Sequence, residues 1–396
     1  MRQRDARRFP PAPVGWSAQR EIAARFPALA ERYRAALPQL RVLERRLDDE
    51  EARGRDTAYL RQALTELRWR FEYTADLAAA ERALDRIGRA GALPALPGAS
   101  IPAPDGSFGI GTEVWFLQLD ASVDHWLAAD AKAGGTPQRL LDRINAPDRL
   151  LGYLDSLLVS RLDQEGVDHR KELNFATANL VRLILQRRPV GYPWHPALEP
   201  AIRGFIADWQ DPATGFFGAG YELDGRRFRT ADLSMTFHMA RYLDGAIGYW
   251  PQLVDTLIRI RADRYPNGWL DAAGMTAHNN YDVAVLFRLG WAKIGAAQRR
   301  VAQDELLRLT EWCLTRALAG DGTIILRAAS ESLPESYYFT VAFLDTVGFF
   351  DPKKRFWTDR DFADAPVLKA RLEAGLLHLD PAQPMVPMAL ERLRAS

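Results

Sequence analysis

Cysteine is nearly missing from this 396-residue chain: Cys313 stands alone, so no internal disulfide exists. Histidine is scarce too, with six in all, and no two stand in a His-x-x-x-His spacing. With no cysteine pair either, a zinc site has no recognisable ligand set. No run approaches the roughly 18 apolar residues that span a bilayer, so membrane insertion is not expected. An excess of one charge is also lacking: 52 basic against 51 acidic residues leave a formal +1. That balance speaks against a nucleic-acid partner, whose capture needs clustered Lys and Arg. The N-terminal arginines lead into Phe9-Pro10-Pro11 and not into an apolar stretch, so a secretory signal is not read and the cytoplasm is the expected compartment. Phosphate-loop, dinucleotide and Gly-x-Ser-x-Gly patterns do not occur.

What is present is helical. At 47% hydrophobic and 26% charged, the chain has the apolar content of a large folded core. Leu60, Leu64, Leu67 and Phe71 fall on one helix face, with Arg61, Glu66 and Arg68 elsewhere. The acidic run Asp48-Asp49-Glu50-Glu51 reads as a solvated helix end, because adjacent carboxylates do not share a face. The chain divides into an N-terminal helical segment over 1–90, a Pro/Gly-rich loop over 91–112 and a repeat region over 113–396. The loop is a connector or a lid.

The repeat has a fixed grammar: a turn glycine, an irregular stretch, a polar residue, then an apolar and aromatic helix. The turn glycines are Gly106, Gly166, Gly215, Gly268 and Gly322, spaced 60, 49, 53 and 54 residues apart. Such a period holds two helices and a turn. The helix after each turn is apolar nearly all round, as in Phe339-Thr340-Val341-Ala342-Phe343-Leu344, which marks enclosure on every side. The intervening helix is amphipathic. Over 301–318, Leu306, Leu309 and Cys313 face in while Arg308, Glu311 and Thr315 face out. An inner ring of buried helices within an outer amphipathic ring accounts for both; an open solenoid is the alternative. The expected fold is all-α, an α/α toroid of helical hairpins.

The turns Asp211–Gly218 (DPATGFFG), Tyr265–Asp271 (YPNGWLD) and Ala319–Thr323 (AGDGT) resemble those of the six-hairpin and terpenoid-cyclase-like α/α toroid superfamily. The resemblance covers about residues 105–350. It implies inner and outer helices alternating around a central cavity, and activities ranging over glycoside hydrolysis, uronate β-elimination, sugar epimerisation and terpenoid cyclisation. Trp194-His195-Pro196-Ala197-Leu198-Glu199 resembles a stretch of the sugar 2-epimerases of that superfamily. The Asp-x-Asp-Asp proton donor of a cyclase is not found.

In such a ring the polar residues opening each inner helix gather at one mouth. They are Glu113; Glu172 with Asn174; Asp232; the His278-Asn279-Asn280-Tyr281-Asp282 cluster; and Glu335 with Tyr337 and Tyr338. Helix caps are the plain reading of several of them. Glycoside hydrolysis needs two carboxyl groups, one protonated and one ionised. Asp232 and Asp282 are the first choice, with Glu113, Glu172 and Glu335 in reserve. His278 shares a face with Asp282, which could orient and charge its imidazole. Asn174, Asn279, Asn280, Tyr281, Tyr337, Tyr338, Trp269 and Trp115 are the expected substrate contacts, the aromatics by stacking on sugar rings. His238 reads as a core histidine. The sequence thus points to a cofactor-free, metal-free carbohydrate-active enzyme, foremost a glycoside hydrolase, acting on a small molecule or oligosaccharide. Its oligomeric state is left open. A β-eliminating lyase using Asn, His and Tyr, a sugar epimerase, a terpenoid-cyclase-like enzyme and a non-catalytic binding scaffold are the alternatives.

Overall fold

A computed structural model of the chain describes residues 8–53, 55, 57–92, 102–128, 138–186, 192–272, 274–326, 332–381, 383 and 385–396. Of the expected loop over 91–112, residues 93–101 lie outside them. The fold is mostly helical. Fifteen α-helices are present among the described residues, beside one three-stranded sheet. No helix among those residues is long and apolar enough to cross a membrane. The chain forms two compact units: residues 1–210 with 218–230, and 211–217 with 231–396.

The first unit holds α1 (Ala18–Arg25), α2 (Pro27–Ala52), α3 (Ala58–Tyr73), α4 (Leu77–Ala92), α5 (Trp115–Ala128), α6 (Pro147–Leu157), α7 (Arg170–Val181) and α8 (Leu198–Trp209). Helix α3 packs on α4 and α5, and α5 packs on α7, while α6 packs on α7 and α8. The α3 stripe is the expected one: Leu60, Leu64, Leu67 and Phe71 are all buried. Glu66 is buried as well, which the stripe did not foretell. Its carboxylate is held by Arg86 at 2.7 Å, by the Thr112 hydroxyl at 2.8 Å and by the Glu113 N–H at 2.9 Å. Charged partners of this kind are what make a buried carboxylate tolerable. Asp48 and Asp49, near the end of α2, are exposed as read.

The sheet was not anticipated. Strand β1 (Val159–Arg161) runs parallel to β2 (Gly220–Leu223), which pairs antiparallel with β3 (Arg226–Arg229). Asp224 and Gly225 join β2 to β3 with φ of 50° and 73°. Two consecutive left-handed residues make the tight turn whose twist suits a hairpin, and Asp-Gly is a preferred pair for it.

The second unit holds α9 (Leu233–Tyr242), α10 (Trp250–Arg259), α11 (Ala277–Gly290), α12 (Ala296–Trp312), α13 (Leu333–Thr346), α14 (Ala365–Leu377) and α15 (Met385–Arg394). Here the two-helix grammar is plain. Helix α11 lies between α9 and α13, and α13 between α11 and α15; α10 and α12 pack on α11, and α14 packs on α13 and α15. The residues of α11 from Asn279 to Phe287 are all buried. In α12, Leu306, Leu309 and Thr310 are buried while Arg308 and Glu311 are exposed. Each fully buried Leu or Phe along these seams contributes roughly 1.5–3 kcal/mol over leaving it in water.

The openings of three alternate helices follow one rule. Asp232, Thr276 and Ser332 precede α9, α11 and α13, and each side-chain oxygen accepts from the backbone N–H three residues on, at 2.9, 3.1 and 3.4 Å. This is N-capping, which satisfies an otherwise orphaned donor. The turn glycines are equally telling. Gly106, Gly166, Gly215 and Gly322 have φ of 81°, 60°, 70° and 85°. Gly268 is required for space instead, since a Cβ there would run into the Asp263 backbone.

Candidate functional site

The inner side of the second unit gathers the strongest polar chemistry. His278 and Asp282 stand four residues apart on α11, with His278 Nε2 3.9 Å from Asp282 Oδ2. Their helix face continues through Tyr281 and Val285, which line a hollow of about 280 Å³. The Asp282 side chain is 1% exposed. Neither of its oxygens has a hydrogen-bond partner among the described residues. Burial drives its pKa well above the usual carboxylate range, and the Arg241 charge pulls the other way. Burial thus favours the protonated carboxyl over the carboxylate.

His278 is held differently. Its ring stacks on Phe339 at 4.1 Å and 18°, with Tyr265 at 5.8 Å. Burial lowers its pKa to about 4, with Asp271 acting in the opposite sense. A third of the side chain nevertheless meets solvent. Dense surroundings with partial access describe a recessed position. The sequence suggested that the Asp282 carboxylate would charge this imidazole. The two side chains do approach, at 3.9 Å, but burial works against charge on both of them.

Around them lie groups with no local sequence signal. Arg241, in the last turn of α9, meets the rings of Phe237, Tyr242 and Tyr281 at 5.6–5.8 Å. From α15, Arg392 places Nη1 3.5 Å from the Tyr281 hydroxyl and donates to Asp345 at 2.9 Å. Lys354 donates to the other oxygen of Asp345 at 2.6 Å. Arg288 donates to the Thr346 carbonyl at 2.9 Å.

The other expected residues separate by role. Asp232 is fully buried and caps α9, and its own N–H donates to the Phe217 carbonyl at 3.1 Å. Asn279 anchors the preceding turn, its amide donating to the Trp269 carbonyl at 2.8 Å. Trp269 is wholly buried. Asn280 is fully buried with both amide atoms unpartnered among the described residues. It points away from the His278 face, being two residues and roughly 200° round the helix. The Tyr337 ring reaches α14, where its hydroxyl occupies the space a side chain on Gly375 would need. Tyr338 is buried and packs on Phe339, and its phenol acts on the Arg241 charge. Glu335 is half-buried in the first turn of α13. His238 is half-buried and stacks on Tyr242 at 5.6 Å and 7°.

Glu113, Glu172, Asn174 and Trp115 belong to the first unit. Glu113 is 68% exposed and pairs with Arg86 at 2.6 Å. Glu172 accepts from the Tyr153 hydroxyl at 2.9 Å, and Trp115 donates to the Leu140 carbonyl at 3.1 Å. Asn174 is buried in α7. This unit has its own set of shifted titratable groups, on α3, α5 and α7, with Glu72 and Lys171 half-buried and Asp120 exposed. Burial raises the pKa of Glu72 and of Asp120 and lowers that of Lys171. Asp120 accepts from the Asn179 amide at 2.8 Å. The Lys171 ammonium lies over Tyr73 and Phe175 at 5.6 and 5.7 Å. Sequence reading missed all three titratable groups, which lie about fifty residues apart. The epimerase-like stretch opens α8, where His195 is exposed and its Nδ1 accepts from the Ala197 N–H at 3.2 Å.

No cluster of three metal-ligating side chains occurs among the described residues. No family model matches the chain, and neither a curated protein nor a solved structure matches it.

Proposed function

We propose that the chain is a carbohydrate-active enzyme on an α/α toroid scaffold that works by proton transfer, with Asp282 as acid and His278 as base. The observation that carries this reading is the buried Asp282 carboxyl, unpartnered among the described residues and 3.9 Å from the His278 imidazole, on a helix whose Tyr281 and Val285 line a hollow. A buried polar group without partners costs roughly 1–3 kcal/mol. Folding gains nothing from such a group, so a catalytic use explains its presence. A neutral acid and a neutral base side by side suit removal and return of a proton at carbon, as in sugar isomerisation, epimerisation or elimination. Burial among aromatics is also the means by which a carboxyl is kept protonated at neutral pH. The partner is then a small-molecule or oligosaccharide substrate, and neither nucleic acid nor a membrane.

Glycoside hydrolysis is the second reading. The pair first expected for it loses Asp232, whose carboxylate is occupied as a helix cap. Glu72 and Asp120, carboxyls on the neighbouring helices α3 and α5, favour it instead.

A panel of mono- and oligosaccharides, assayed by chromatography of products, separates the two. Asp282→Asn is expected to abolish turnover while leaving the circular dichroism spectrum unchanged, and His278→Gln to lower kcat at least about a hundredfold. Hydrolysis lost in Glu72→Gln but retained in Asp282→Asn would move the chemistry to the first unit. Full activity in all three variants would end the enzymatic reading at these residues.

A further inference from the structure

The hollow beside Tyr281 is lined by Arg241, Arg288, Lys354 and Arg392 against only Asp244 and Asp345. The four cations come from the last turns of α9, α11 and α15 and from the segment after α13, and 151 residues separate the first from the last. Their pairing is uneven. Asp345 is shared by Lys354 and Arg392, at 2.6 and 2.9 Å. Arg288 has a backbone carbonyl, and Arg241 has aromatic rings alone, with no hydrogen bond or ion pair among the described residues. Arg241 and Arg288 are both exposed at this hollow. Two guanidiniums without an acidic partner, held at a concave surface over rigid aromatic faces, are preorganised for a bidentate oxyanion. Cations gathered in a cleft also hold a stronger positive potential than the same charges on an open surface.

We infer that this hollow is an oxyanion subsite, in which Arg241 and Arg288 grip the carboxylate or phosphate of an acidic sugar. The inference rests on the proton-transfer reading and narrows its substrate class from sugars in general to anionic ones. About 280 Å³ lies at the small end of ligand pockets and matches a monosaccharide, not a long chain. Tyr281 ties the subsite to the chemistry: it lines the hollow, its ring lies 5.8 Å from the Arg241 guanidinium, and it precedes Asp282 in sequence.

Titration calorimetry of the full chain with D-glucuronate, D-glucose 6-phosphate, inorganic phosphate and neutral D-glucose tests this. At least one oxyanion is expected to bind about tenfold tighter than glucose, or better, and the tighter of the sugar anions names the group recognised. Arg241→Gln and Arg288→Gln, both surface changes, are each expected to weaken that ligand about tenfold or more, the value of one lost charge-assisted hydrogen bond. Equal binding of glucose and glucuronate, no oxyanion binding, or an unaltered Kd in Arg241→Gln would overturn the subsite. Asp282→Asn separates this outcome from that of the catalytic reading. Oxyanion binding that persists in Asp282→Asn with turnover also intact keeps the subsite and removes the proton-transfer role. Turnover of neutral sugars that is lost in Asp282→Asn, without oxyanion binding, does the reverse.

Discussion

Asp232 and Asp282 are both fully buried acids near the start of an apolar helix, and the sequence ranked them together. One bond separates their roles. The Asp232 side chain accepts from the Met235 N–H, while the Asp282 oxygens accept from no described group. Asp232→Ala should cost about 1–2 kcal/mol in urea unfolding, as a lost cap does, and Asp232→Asn, which still caps, only a few tenths. Asp282→Asn should show the opposite profile, with stability at pH 7 kept and activity lost. A stability loss in Asp282→Asn as large as that in Asp232→Ala would mean that a hidden bond holds the carboxyl. At this scale the sequence was half legible. The density of polar residues at 278–282 marked the turns of helix that hold Asp282, but a capping acid and one unpartnered among the described residues look alike as letters. Arg241, Arg288 and Arg392 were invisible because each is an ordinary basic residue in a last helical turn, where the helix dipole favours one anyway.

Helices are where the reading was most complete. The turn glycines were found because four of the five adopt a backbone that other residues enter only with strain. The buried helices α11 and α13 were found because only a helix enclosed on every side is apolar all round. The sheet was missed because its strands are three or four residues long, too short for alternation to show, although Asp224-Gly225 is a hairpin signal. One substitution, made twice, tests the account of the turns. Gly215→Ala places a Cβ against the Leu253 and Tyr249 backbone at φ of 70°, and should destabilise by more than about 1 kcal/mol. Gly152→Ala lies on the exposed face of α6 with no atom within 4 Å, and should stabilise by up to about 1 kcal/mol. Thermal melts of the two that move in the same direction would contradict the assignment.

For the whole molecule, the two shifted titratable groups of α11 write opposite slopes into the pH dependence of stability. Asp282 binds its proton more tightly folded than unfolded. Its contribution is complete below about pH 4, the unfolded value, and is lost as pH rises through the raised folded value. His278 is neutral when folded, with its pKa lowered to about 4. Its penalty is absent above about pH 6.5, the unfolded value, and grows as pH falls towards 4. Wild type minus Asp282→Asn stability should therefore fall from pH 4 to 8, and wild type minus His278→Asn should fall from pH 7 to 4. Flat differences in both would remove the desolvation account. The protonation of Asp282 can also be observed without reference to stability or substrate. Infrared difference spectra of wild type against Asp282→Asn at pH 7 should show the carbonyl band of a protonated carboxylic acid in the wild type alone. An ionised carboxylate band lost in its place would contradict the neutral acid on which the proposed chemistry stands.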